Sequence, residues 1–123
     1  MNPELAGARY VNVTTFRRDG RAVATPVWCV ALDDRLYFFS GGDSGKVKRI
    51  RATGRVLAAP SDVRGRVLGG SHEGRGRVVD APDLQARFYA ALTAKYGWQF
   101  RVLNFFSTLA RRRGRRAVLE VAF

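Results

Sequence analysis

Two short turns within the first forty residues decide most of what this chain can fold into. RYVNVTTF (Arg9 to Phe16) alternates Tyr10, Asn12, Thr14 and Phe16 with Val11, Val13 and Thr15, the period of two that marks a strand. RRDG follows, and Asp19-Gly20 supplies the positive-φ residues that a tight hairpin requires. RAVATPVWCVAL (Arg21 to Leu32) then runs back, DDR turns again, and LYFFS (Leu36 to Ser40) makes a third strand. Parallel neighbours would need a long crossover between them, so three strands joined this closely form an antiparallel meander.

The second of these strands carries apolar residues on both faces. Such a strand needs cover on both sides, as inside a barrel whose outer face meets another subunit or a ligand. That feature predicts a homodimer, because a monomer would expose the second face.

Beyond the meander, Val47 and Ile50 fall three apart on a short helix with basic residues elsewhere around it. RVLAAPSD (Arg55 to Asp62) and SHEGRGRVVD (Ser71 to Asp80) read as further strands. In the latter, Gly74 and Gly76 alternate with Glu73, Arg75 and Arg77, leaving one face bare for close packing. APDLQARFYAALTAKYG has Pro82 and Asp83 in its first turn and Gly97 as its stop, which predicts a helix. WQFRVLNFFSTLA continues at helical spacing, and RAVLEVAF ends the chain as a strand. The fold class is mainly β (α+β): a six-stranded antiparallel barrel with two to three helices. At 123 residues without a repeat, residues 1–123 read as a single domain.

The charge is the anomaly, with 22 basic residues against 10 acidic, or +12. Such an excess favours anionic partners. No acidic side chain lies between Leu84 and Leu119, where RRRGRR (Arg111 to Arg116) stands. A solvated basic surface and an anion-binding role both account for that run. No apolar stretch reaches the ~18 residues of a membrane span, and MNPELAGARY lacks a basic-then-apolar leader. With Cys29 as its one cysteine the chain forms no internal disulfide, and a soluble, cytoplasmic protein is the expectation.

FSGGDSGKVKRIR (Phe39 to Arg51) concentrates the question of function. Glycines ahead of a helix start let an anion approach unpaired backbone N–H groups, Ser44 can offer a hydroxyl, and Lys46 can neutralise charge. The spacing is not G-x-x-x-x-G-K-[ST], which excludes a nucleotide-hydrolysing P-loop. On these residues alone, a turn followed by a solvated helix is the simpler account, and a nucleic-acid patch stays open beside it.

RYVNVTTFRRDGRAVATPVW, GGDSGKVKRIR and KYGWQFR, in this order, resemble the split-barrel flavin and deazaflavin oxidoreductases. The likeness is greatest to the deazaflavin (coenzyme F420) enzymes grouped with the pyridoxamine 5′-phosphate oxidases, and it extends from Arg9 to Phe123. It implies the FMN-binding type of split β-barrel and a homodimer with cofactors in grooves between subunits. It also implies that the cofactor phosphate sits at the start of the helix after the third strand. The positions are Ser40, Ser44, Gly45 and Lys46, with Lys48 and Arg49. The ring would lie along Ala24, Thr25, Pro26, Val27 and Trp28, where Pro26, lacking an N–H, would interrupt the ladder and open a kink. F420 is the implied cofactor and FMN the alternative. The reaction would pass a hydride between the deazaflavin and a small organic substrate. A non-catalytic binder of cofactor or nucleic acid is the remaining class.

Other candidates read as structural. His72 is the only histidine, so neither a paired-imidazole metal site nor a G-x-S-x-G hydrolase is supported. Cys29 in an apolar strand reads as a small core residue. Tyr96 and Trp98 read as packing residues more readily than as pocket lining, and Trp98 and Phe100 more readily as core than as a base-stacking platform. No catalytic side chain and no metal ligand are named, since hydride transfer rests on the cofactor's own chemistry.

Overall fold

A computed structural model describes residues 2–42, 44–99 and 116–123. In chain order the elements are α1 (Pro3–Gly7), β1 (Tyr10–Phe16), β2 (Ala22–Val27), β3 (Cys29–Leu32) and β4 (Arg35–Gly41). They continue with α2 (Gly45–Thr53), β5 (Arg55–Ser61), β6 (His72–Val79), α3 (Pro82–Tyr96) and β7 (Arg116–Ala122). The expected helix that starts at Trp98 lies outside the described residues beyond Gln99, as does most of the RRRGRR run. No helix among those described is long and apolar enough to cross a membrane.

Both turns form where expected, although in the first only Gly20 takes positive φ and Asp19 does not. At the first, the Gly20 N–H donates to the Arg17 carbonyl at 2.9 Å, and Gly20 takes a φ of 91°. At the second, Asp33 and Asp34 both adopt positive φ, which short Asx side chains tolerate. Arg87 of α3 holds that turn by donating to both carboxylate oxygens of Asp33, at 2.9 and 3.2 Å.

All strand pairs are antiparallel, in the order β2-β1-β5-β6-β7-β4-β3. The mainly β, split-barrel expectation therefore holds, but the count is seven strands rather than six. The segment expected as one strand, Arg21 to Leu32, breaks at Trp28 into β2 and β3, which become the two edges of the sheet. The break is not at Pro26, which stays in register opposite Asn12. On an edge strand its missing N–H is tolerated. No ladder joins β2 to β3, so the sheet is not closed by hydrogen bonds.

Two cores lie on opposite faces of this sheet. Inside, Val11, Val13, Phe38, Val56 and Leu119 pack with Val47 and Ile50 of α2. Outside, Phe88, Leu92 and Tyr96 of α3 cover Val30, Tyr37 and Val118. The glycine face of β6 has a definite use. A Cβ at Gly76 would come within 2.9 Å of Val56 and 3.3 Å of Ile50, so this glycine is what lets α2 seat against the sheet.

The outer face also buries one carboxylate. Glu120 is 2% exposed and in register with Tyr37 on one side and Arg77 on the other. It accepts from Arg77 Nε at 2.7 Å, Tyr37 Oη at 2.6 Å and Arg35 Nη1 at 2.9 Å. Four lone-pair sites met by three side chains explain how a charge can be tolerated there.

Candidate functional site

The start of α2 brings together five of the residues singled out in the sequence. Ser44 is the N-cap, its Oγ accepting from the Val47 N–H at 3.4 Å. Ser40, near the end of β4, places its own Oγ 2.8 Å from that of Ser44. The N–H groups of Gly45 and Lys46 open the helix, ahead of its internal ladder. One turn later Arg49 folds back, so that its guanidinium crosses the space a Cβ at Gly45 would fill. Arg49 Nε donates to the Thr15 hydroxyl on β1 at 2.6 Å.

Among the described residues, these cations have no carboxylate paired with them. Burial and then the nearby Arg49 hold the half-buried Lys46 ammonium below the ordinary lysine range. Burial and then Arg17 lower Arg49 in turn. Beyond Arg49 opens a groove of about 560 Å³ lined by Phe16, Arg17 and Arg18 from the first hairpin and by Lys48, Arg49 and Arg51 from α2. Among the described residues, none of these basic side chains is ion-paired. Chemically, the arrangement carries an excess of positive charge of the kind that attracts an anion. Arg17, Arg18 and Arg51 were not singled out in the sequence. Their meeting depends on the hairpin folding toward α2, which no local pattern announces.

Strand β2 lies on the far side of β1 from this cluster's other supports. Arg49 touches Thr15, whose register partner is Val23, so Ala24 begins where the cationic cluster ends. Thr25 and Val27 pair with Val13 and Val11 and share their inward face, whereas Ala24, Pro26 and Trp28 turn outward. The Thr25 hydroxyl is buried with no hydrogen-bond partner among the described residues. An unmet buried hydroxyl costs about 1–3 kcal/mol, so this atom is poised to accept a partner. Lys48 is exposed on the groove side of α2 and stands apart from the Ser40–Ser44 pair.

Trp28 stacks on Tyr96, with centroids 4.5 Å apart and planes 7° apart. Tyr96 is packed, as expected, but Trp98 is not: it is 71% exposed. Phe100 lies outside the described residues. Cys29 is a buried core thiol whose pKa burial pushes up to about 11, far from a nucleophile's. His72 bonds Asn2 through Nε2 at 3.2 Å and ties α1 to β6.

Comparison with known proteins places this geometry. A conserved hypothetical protein of Mycobacterium tuberculosis superposes with a TM-score of 0.72 at 18% identity, over 99% of this chain and 80% of the other. A protein described as an F420 reductase gives 0.57 at 21% identity, over 95% and 88%. The heme storage protein of Vibrio cholerae gives 0.71 at 9% identity, over 96% and 83%. At these identities the likeness is one of fold. No curated protein matches in sequence. The pyridoxamine 5′-phosphate oxidase family matches across residues 1–123, and the chain belongs to that family.

Proposed function

We propose that this chain is an oxidoreductase that binds coenzyme F420 through its phosphate. It would pass a hydride between the deazaflavin and a small organic substrate, acting as a homodimer. The observation that carries the choice of cofactor is the groove of cations, none of them ion-paired among the described residues, that continues from the α2 cradle through Arg49 to Arg17, Arg18 and Arg51. FMN is the second reading: its phosphate suits Ser40, Ser44 and Lys46 equally well. It would leave the further arginines without an anion, whereas the anionic tail of a deazaflavin would engage them.

The residues fit such a group. Gly45, lacking a side chain, lets the Arg49 guanidinium lie against the helix start, Lys46 and Arg49 have no carboxylate partner among the described residues, and Thr25 offers a buried hydroxyl. Ala24 to Val27 spans about 10 Å of extended strand, with Trp28 at its end, enough to lay a ring system along it. When bound, the cofactor supplies the redox chemistry. The chain's part is to fix the phosphate at Ser44, Lys46 and Arg49, to align the ring against β2, and to keep water from it. Pairing of two copies supplies the exclusion of water. Val63, Val67 and Leu68 expose apolar side chains on the loop whose Gly65 lies against Pro26, and Trp98 adds another.

Titrating F420 and FMN side by side by fluorescence tests this reading, with Arg17→Gln/Arg18→Gln/Arg51→Gln as the comparison. The expected result is tighter F420 binding by the parent. The triple variant loses that advantage at low salt and leaves FMN unaffected. Binding of neither would overturn the oxidoreductase, and tighter FMN binding would transfer it to the second reading. Light scattering at micromolar concentration checks the dimer, which a monomer mass would refute.

A further inference from the structure

The break at Trp28 has a cause on α3. Registers Asn12↔Pro26 and Val11↔Val27 would, two steps further along, place Arg9 opposite Cys29. That pair does not form. Between the two backbones stands the Tyr96 hydroxyl, which accepts from the Cys29 N–H at 3.0 Å and donates to the Arg9 carbonyl at 2.7 Å. Beside it, Lys95 Nζ donates to the carbonyls of Cys29 and Ala8 at 2.8 and 2.6 Å. Three carbonyls pointing into one seam need donors, and two adjacent side chains of one helical turn supply them. The same Tyr96 ring carries the indole of Trp28.

We propose that Lys95 and Tyr96 form a wedge that replaces the Arg9–Cys29 ladder pair, holds the barrel seam open and thereby positions Trp28 as the end wall of the cofactor strip. The wedge itself stands on the geometry alone. Its consequence for the cofactor rests on the oxidoreductase reading above. Lys95 and Tyr96 act through Trp28 and the Cys29 peptide, so they are positioning residues.

The chain has two tryptophans, so Trp98→Phe leaves Trp28 as the sole indole emitter. In that background, Lys95→Met removes the ammonium, and Tyr96→Phe removes the hydroxyl while keeping a ring to stack on. If Lys95→Met does not fold, Tyr96→Phe carries the test. The expected result, measured well below each melting temperature, is a shifted Trp28 emission and greater acrylamide quenching without cofactor. F420 affinity should weaken by about tenfold, the loss of one well-placed interaction, and Lys95→Arg should restore both signals. Unchanged Trp28 emission and quenching in both variants overturns the wedge. Altered Trp28 with unchanged cofactor affinity overturns its positioning role. A parent that binds neither F420 nor FMN removes the oxidoreductase reading and the positioning role with it, while the cofactor-free comparison still decides the wedge.

Discussion

The guanidinium of Arg49 lies across Gly45, the residue one helical turn before it, while its Nε holds the hydroxyl of Thr15. A methyl group at residue 45 would displace the flexible end of Arg49 rather than the backbone. Gly45→Ala should therefore leave the fold intact, and helix propensity should raise stability by about 0.5–1 kcal/mol. Anion affinity should fall. Thermal melts and phosphate or cofactor titrations on the same samples check the two opposite movements. A loss of stability together with full affinity would refute the placement of Arg49.

Lys46 gives the cradle a pH dependence. An anion favours the charged ammonium, so affinity is complete while Lys46 is protonated and declines as pH rises through its lowered pKa. The decline should begin below the ordinary lysine value of about 10.4. Lys46→Ala should bind more weakly at neutral pH by about 1.5 kcal/mol, the low end for a charged contact because the side chain is half exposed. It should also lose the alkaline decline. Calorimetric titration between about pH 7 and 10 measures both.

Glu120 links stability to acid. Burial pushes its carboxyl upward, but hydrogen bonds from Arg77, Tyr37 and Arg35 outweigh that and hold it below the ordinary range. A lowered carboxylate contributes stability above its unfolded pKa, about 4.3, and loses it as pH falls through the folded value. Glu120→Gln should cost about 2 kcal/mol at neutral pH and flatten the acid limb of the curve. Urea unfolding at a series of pH values gives both quantities, and parallel acid limbs would contradict the assignment.

Gly76→Ala should destabilise by about 1–3 kcal/mol, since the new methyl meets Val56 and Ile50 in a filled core. Adding Ile50→Val should recover part of that loss. A double-mutant cycle from urea midpoints would show the coupling, and strict additivity would mean that α2 does not press on β6 here.

Local chemistry made much of the fold legible. Asp19-Gly20 announced its hairpin, Pro82 and Gly97 bounded α3, and the bare face of Gly74 and Gly76 marked a close approach. Ser44 at a helix start was likewise visible as a cap. What escaped depends on partners distant in the chain. Trp28 ends a strand because Tyr96, far along the sequence, occupies the seam. Glu120 looked like an ordinary strand residue until Arg77 and Tyr37 came into register around it. The exposure of Trp98 was missed because a large aromatic is more often buried, and its neighbours alone give no hint otherwise.

Strand β7 stands between β6 and β4. Remove it and the sheet divides into a four-strand piece, β2-β1-β5-β6, and a lone β3–β4 hairpin. On the ribosome, every other described strand emerges first, yet none can finish the barrel until this one arrives. Apolar faces meant for the interior must then wait in the open during synthesis, a setting that invites chaperone capture. The two pieces become one sheet only when the last strand is made, and β7 is the strand that joins them.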